Sequence, residues 1–332
     1  MRAMWFIGAL FLYFFPVDLK KIQLSGYAQG TSYHITYFAP NDIIDPESID
    51  SILNRLDSSL SIYKPNSLIN QFNNSPQGIF PDAHFLSVVK RAIEVSQSTN
   101  GLFDITVAPL VNAWGFGINK INEYPDSLSI ADKKGCVGYS SVIISENGYV
   151  AKKKSCILID VNGIAQGYSV DVIADYLESK GVQDYLVELG GEIRVKGINK
   201  LTGKKMKVGI ISPSYNEFIE DSLENNIEIK EGAVTTSGNY RKYKESNRKR
   251  ITHIINPISG YPVENELISV TVYAKDAMTA DAYDNALMLM GLTNALNFIS
   301  KQKEIEAYFI YKKSNGEIAD TASAGFNKLL KK

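Results

Sequence analysis

Two segments repeat apolar residues at helical spacing, and they bound what this chain can become. Across residues 47–60, Ile49, Ile52, Leu53 and Leu56 fall on one stripe, and across 84–99 Phe85, Val88, Val89, Ala92 and Val95 do the same. A stripe of that width has to be buried against another layer. Strand-type runs supply one: residues 22–38, a hairpin around Gly26 and Gly30, then 185–189, 193–197, 206–211, 268–274 and 307–311. Further helices are expected at 167–180, closed by Gly181 as a glycine C-cap, and at 278–290 and 293–302. No internal repeat and no Pro/Gly/Ser-rich linker divides the chain. The expectation is one α+β unit with its site between two subregions. With 332 residues, 45% of them hydrophobic, there is ample material for its core.

A formal net charge of -1 argues against a nucleic-acid binder that works by bulk phosphate attraction. The local exception is 241–250, RKYKESNRKR, with six basic residues against one acid. It reads either as a solvated hairpin tip or as a rim that attracts an anionic ligand. The two cysteines, Cys136 and Cys156, flank a hairpin-like stretch, VIISENGYVAK. Two positions without geometry do not establish a bridge, and both are treated as free thiols.

The N-terminus reads as a targeting segment. Arg2 precedes the twelve-residue run MWFIGALFLYFF at 4–15, followed by Pro16, Asp18, Lys20 and Lys21. That length suits a signal-peptide core better than the ~20 residues of a membrane span. Residues 1–21 are therefore expected to be a signal peptide or membrane anchor and 22–332 the folded domain, facing the periplasmic side. A buried N-terminal strand or helix is the other reading.

Within ADAYDNA (280–286), Asp281 and Asn285 lie four residues apart in a helix-forming stretch and share one face. Two oxygens aimed at one point suit a hard cation such as Mg²⁺, although by spacing alone such a pair is more often an exposed hydrogen-bonded pair. Glycine and polar residues punctuate other apolar runs: QGTS at 29–32, GLFDIT at 101–106, DVNGIAQG at 160–167, LGGE at 189–192, TTSGNY at 235–240 and HIINP at 253–257. Glycine lets backbone approach a ligand closely. Neither a P-loop nor a GxGxxG fingerprint is present.

Taken in order, GTSYHITY, LSIYKPNSLINQFN, GLFDITVAPLVNAWGFG, DVNGIAQGYSVDVIADYLESKGVQDYLVELGGEI, TTSGNY, HIINPISGYPV and ADAYDNALMLMG resemble the FAD:protein FMN transferase, or ApbE, family over residues 24–312. The resemblance implies a single intertwined α+β domain with mixed sheets and helices. It implies a Mg²⁺-dependent flavin transferase that moves FMN from FAD to a Thr or Ser hydroxyl of an acceptor protein, an exported or membrane redox subunit, with release of AMP. Hydrolysis of FAD to FMN and AMP, or storage of FAD without catalysis, are the alternatives.

Carried over residue by residue, the resemblance assigns the metal to Asp281, Asn285 and the backbone carbonyl of Gly163. It places the flavin against Gln29, Tyr63, Leu102, Phe103, Asp104, Gln166 and Ile255. Many members have methionine where this chain has Gln29, and lysine or glutamate where it has Gln166. By itself His253 reads as structural; the resemblance makes it the general base, a role for which imidazole is suited near neutrality. His34 and His84 read as structural. Asp104 reads either as an orienting hydrogen-bond partner of the ligand or as a local backbone cap.

Overall fold

A computed structural model describes residues 18–118, 121–212, 222–239, 243–246 and 249–331. The targeting segment at 4–15 and part of the basic stretch at 241–250 lie outside these residues. Among the described residues no helix is long and apolar enough to cross a membrane.

One antiparallel sheet organises the molecule. Its strands are β1 (Lys20–Ala28), β2 (Thr31–Ala39), β3 (Tyr185–Leu189), β4 (Glu192–Lys196), β5 (Glu231–Gly238), β6 (Leu267–Ala274), β7 (Ile305–Lys312) and β8 (Ile318–Ala322), and they lie side by side in chain order. Apart from a short helix after β8, Ala324–Asn327, the other elements are inserted between neighbours. The gap from β2 to β3 holds α1 (Pro46–Leu60), α2 (Leu68–Asn74), α3 (Ala83–Ser98), α4 (Ala108–Ala113), α5 (Ser127–Lys134) and α6 (Ala165–Ser179). The gap from β6 to β7 holds α7 (Ala277–Met290) and α8 (Leu292–Ile299). The expected helices and strands are therefore present, within a few residues at their ends.

Local chemistry explains the boundaries. Asp45 and Asp82 accept backbone N–H groups at the starts of α1 and α3, and Pro46 occupies the first turn of α1. The two-residue turn between β1 and β2 has positive φ at both Gln29 (53°) and Gly30 (79°), the hairpin geometry that matches strand twist. Glycine adopts it freely; Gln29 adopts it at a cost.

The sheet is buried on both faces. The predicted stripes of α1 and α3 join α6 and α7 in one core with Ile35, Tyr37, Val187, Val270, Val272 and Phe309. A slip in register between Leu267 and Ser269 puts both Leu267 and Val270 into that core. On the other face Phe38, Val195, Tyr308 and Ile310 meet Val208, Ile210 and Ile227 of a hairpin inserted between β4 and β5. A satellite cluster of Leu110, Trp114, Ile130 and Ile255 lies under the HIINP segment.

The structure corrects one expectation. Cys136 and Cys156 are not free thiols: they form a disulfide, with their Cα atoms 5.5 Å apart. Folding brings together the two ends of the short hairpin between them, which sequence spacing alone did not fix. His34 and His84 have structural partners, Glu188 Oε2 at 2.8 Å and Tyr168 Oη at 2.9 Å.

Candidate active site

The site is built where α6 crosses α7. A Cβ on Gly167 would stand 2.3 Å from the Ala277 carbonyl oxygen and 2.8 Å from Asp281 Cβ, so the helices touch here only because residue 167 has no side chain. They also exchange carboxylates. Asp281 Oδ2 accepts the Gly167 N–H at 3.0 Å, while Asp171 on α6 accepts the N–H groups of Ala277 (2.9 Å) and Met278 (2.8 Å) at the start of α7. Arg194 of β4 clamps Asp171 through Nη1 at 2.7 Å. This crossing fixes the Asp281 backbone relative to the DVNG loop that leads into α6.

Asp281 does not stand alone on its face. Asp284 is buried beside it, its Oδ2 accepting from Thr235 Oγ1 at 2.7 Å and its Oδ1 from Asn285 Nδ2 at 3.0 Å. Asn285 Oδ1 accepts from Ser237 Oγ at 3.3 Å. Gly163 faces this amide, since a Cβ there would stand 3.2 Å from Asn285 Nδ2 and 3.7 Å from Phe103 Cε2. Burial pushes the Asp281 carboxyl up to about 7, against the Gly167 N–H, and pushes Asp284 well above its ordinary value with the Asp281 charge adding to it.

Two neighbouring buried carboxyls that resist ionisation are a place where a cation is electrostatically welcome. The donors are all oxygens, which selects a hard cation. No group of three or more His, Cys, Asp or Glu forms a ready cage among the described residues. The side chains and carbonyl present therefore fit a cation that keeps places for water or phosphate, as Mg²⁺ does.

Of the residues expected at the flavin, Gln29, Gln166 and Phe103 meet α6 or the loop that leads into it. Gln29, at the strained hairpin tip, reaches α6 through Nε2 to Ser169 Oγ at 2.9 Å. Gln166 sits in the first turn of α6, its Nε2 3.0 Å from where a Cβ on Gly190 would be. Tyr63 is 63% exposed and lies near Asp160 and Asn162, and partial burial followed by the Asp160 charge raises its hydroxyl pKa. Phe103 is buried against Gly163. Asp104 uses both oxygens internally: Oδ1 accepts from Thr106 N (2.8 Å) and Oγ1 (2.6 Å), and Oδ2 from Tyr139 N at 2.7 Å. Its side chain is thereby a backbone clamp, and Leu102 and Phe103 are presented by it.

His253 and Ile255 stand on a separate wall. The His253 ring is half-buried and meets Phe116 edge-on, with centroids 6.3 Å apart. Ile255 is buried with Leu110 and Trp114. A tight turn stabilises the segment: the Tyr261 carbonyl accepts from Asn256 N, and Asn256 Oδ1 accepts from Ile258 N and Ser259 N. The GLFDIT segment bridges the walls, because it runs from Phe103 directly into α4, and the Ile105 carbonyl accepts from Asp160 N at 2.7 Å.

Sequence reasoning passed over Asp284, Asp171, Thr235 and Ser237. A signal existed for Asp284, which follows Asp281 at i+3 and so shares its face by the rule that paired Asp281 with Asn285. Thr235 and Ser237 lie in a segment singled out for its glycine, yet it is a buried strand.

Fold and site together define an α+β protein in which a helix crossing carries an oxygen-only acidic centre beside aromatic and glycine-lined walls. The chain belongs to the ApbE family, whose profile matches residues 29–309. An FAD:protein FMN transferase of Haemophilus influenzae is 35% identical over 94% of this chain and 92% of its own length, and one of Vibrio cholerae is 35% identical over 94% of each. Among solved structures, a flavin transferase ApbE from Vibrio cholerae superposes with a TM-score of 0.83 at 33% identity, covering 94% of this chain and all (100%) of that one. The apo form of a Pseudomonas stutzeri flavinyl transferase ApbE gives 0.83 at 30% identity, covering 94% and 97%.

Proposed function

We propose that this chain is a Mg²⁺-dependent FAD:protein FMN transferase that attaches FMN to a Thr or Ser hydroxyl of an acceptor protein and releases AMP. The observation that carries this reading is the α6/α7 crossing, where Gly163, Asp281 and Asn285 converge with Phe103 and the buried Asp284. The Asp281 carboxylate, the Asn285 amide oxygen and the Gly163 carbonyl would hold the cation. Mg²⁺ bound there supplies Lewis-acid neutralisation of a pyrophosphate. The chain's own residues do the rest. Gln29, Tyr63, Leu102, Phe103, Gln166 and Ile255 orient FAD, and His253 takes the proton from the acceptor hydroxyl. The hydroxyl oxygen forms a bond to the FMN phosphorus, the phosphoanhydride bond breaks, and AMP leaves with its electron pair.

We further place the folded domain on the extracytoplasmic side, held there or exported by residues 1–21, with the acceptor a membrane or exported redox subunit. The Cys136–Cys156 disulfide supports this, since such bonds persist in oxidising compartments.

The test uses purified protein, FAD, Mg²⁺ and a candidate acceptor, with flavin fluorescence of the acceptor in a denaturing gel and AMP release as readouts. His253→Ala is expected to retain FAD binding and lose transfer by about 10²–10⁴-fold. AMP release without acceptor labelling would assign FAD hydrolysis instead, and tight binding without AMP would assign storage. Undiminished transfer by the variant would remove His253 from the role of base.

A further inference from the structure

The disulfide joins the two strips of chain between which the GLFDIT segment is held. On one strip, two and three residues past Cys136, Gly138 N donates to Thr106 Oγ1 at 2.7 Å and Tyr139 N to Asp104 Oδ2 at 2.7 Å. On the other, four residues past Cys156, Asp160 N donates to the Ile105 carbonyl at 2.7 Å, and Gly163 follows against Phe103. Between them the Ser141 carbonyl accepts from Lys153 N at 2.9 Å, and Lys154 Nζ reaches the Gly135 carbonyl at 2.9 Å. Every hydrogen bond that fixes Asp104, Ile105 and Thr106 to these strips thus lies within five residues of a sulfur.

The bridge also differs from a buried staple. Cys156 is exposed and Cys136 half-buried. Lysines precede each: KKGC at 133–136 and KKKSC at 152–156, of which Lys134, Lys153 and Lys154 are exposed. Positive charge stabilises a departing thiolate, and an open sulfur admits an attacking one.

We propose that the Cys136–Cys156 disulfide is a redox-sensitive positioning device for the flavin-facing segment 102–106, so that the oxidised protein binds FAD well and the reduced protein binds it poorly. This rests on the flavin-transferase reading. The reductant is a dithiol: one thiolate attacks Cys156 Sγ, the S–S bond breaks with Cys136 leaving as thiolate, and the second thiol resolves the mixed disulfide. Two electrons and two protons pass to the protein, which ends as two thiols, and the reductant ends as a disulfide. A chain still in a reducing compartment would then leave FAD free, and one oxidised after export would be competent.

The experiment measures FAD affinity in the presence of Mg²⁺ by fluorescence quenching, far below the melting temperature. It compares oxidised protein, the same protein reduced with dithiothreitol, the reoxidised sample, and Cys136→Ser/Cys156→Ser. Amide exchange at Gly138, Tyr139 and Asp160 is followed in each. The expected result is a Kd raised about tenfold or more on reduction and in the double variant, restored by reoxidation, with faster exchange at those three amides. Equal affinity in every form, with only a lower melting temperature, would overturn the proposal and leave the bridge a stability staple. Oxidised protein that binds no FAD would instead defeat the transferase reading. If the double variant does not fold, the reduced wild-type protein decides: unchanged affinity and exchange overturn the positioning claim, and weaker binding with faster exchange upholds it.

Discussion

At the scale of single residues, Asp281 and Asn285 carry separable predictions. Asp281→Ala removes the one charged donor that also anchors Gly167, and should abolish most Mg²⁺ affinity, read by calorimetric titration with Mg²⁺ and FAD. Asn285→Thr keeps an oxygen on the same face and should cost much less. An Asp281→Ala protein with full Mg²⁺-dependent turnover would show that the helix face is misassigned. Asp284 separates the same two ideas in another way. Its Oδ2 is held by Thr235 Oγ1, so Thr235→Val should leave a buried acceptor short of a donor and destabilise the protein by about 1–3 kcal/mol. Thermal melts with and without Mg²⁺ check this, and an unchanged melting temperature would mean the bond contributes nothing.

At the scale of elements, the α6/α7 contact is set by what residue 167 lacks. Gly167→Ala would drive a methyl into the Ala277 carbonyl, a backbone atom that yields only if the helices part. A loss of about 1–3 kcal/mol is expected, together with weaker Mg²⁺ binding because Asp281 moves with α7. Retained stability with normal binding would refute the close-contact reading. The short strand Val150–Lys152 carries a different cost. Lys152 is 8% exposed, donates to the Asn73 carbonyl at 3.0 Å and lies 4.9 Å from the Phe72 ring centre. Burial lowers its ammonium pKa to about 8 from 10.5. Between those values the unfolded chain holds the proton more firmly than the folded one, so stability should rise with pH through that window and show no slope from this group below it. Lys152→Met should flatten that rise and add about 1–3 kcal/mol at neutral pH, measured by denaturant melts at several pH values. A rise that persists in the variant would assign it to another group.

At the scale of the whole molecule, all eight main strands neighbour one another in chain order, so the helices and loops of the site sit in insertions between adjacent strands. The metal-facing helix, the DVNG loop and the HIINP turn come from three different insertions, yet the sheet sets their spacing. The proposed location is a property of the full chain. A reporter active only in the cytoplasm, fused after Lys332, should be silent, and a bright one would contradict export by residues 1–21.

Helix stripes and strand runs were legible because period and burial are local: Ile49, Ile52, Leu53 and Leu56 are all in the core, and the helix expected over 278–290 spans Ala277–Met290. The ordered motifs likewise carried the family. Other features were not local. The polar Thr235-Thr236-Ser237 run is not among the expected strands, but it lies in strand β5, where Thr235 and Ser237 find partners in Asp284 and Asn285, more than forty residues away. The two cysteines became a bond only when the fold set their Cα atoms 5.5 Å apart. The Asp104 carboxylate was committed to Tyr139, 35 residues on, by the same closure. Sequence by itself determined the long amphipathic helices, most strands of the main sheet and the family they compose, since those depend on neighbours within a turn or a pleat. Only tertiary structure decided which polar groups meet, because a buried hydrogen bond or a charge pair is fixed by distance in space and not along the chain.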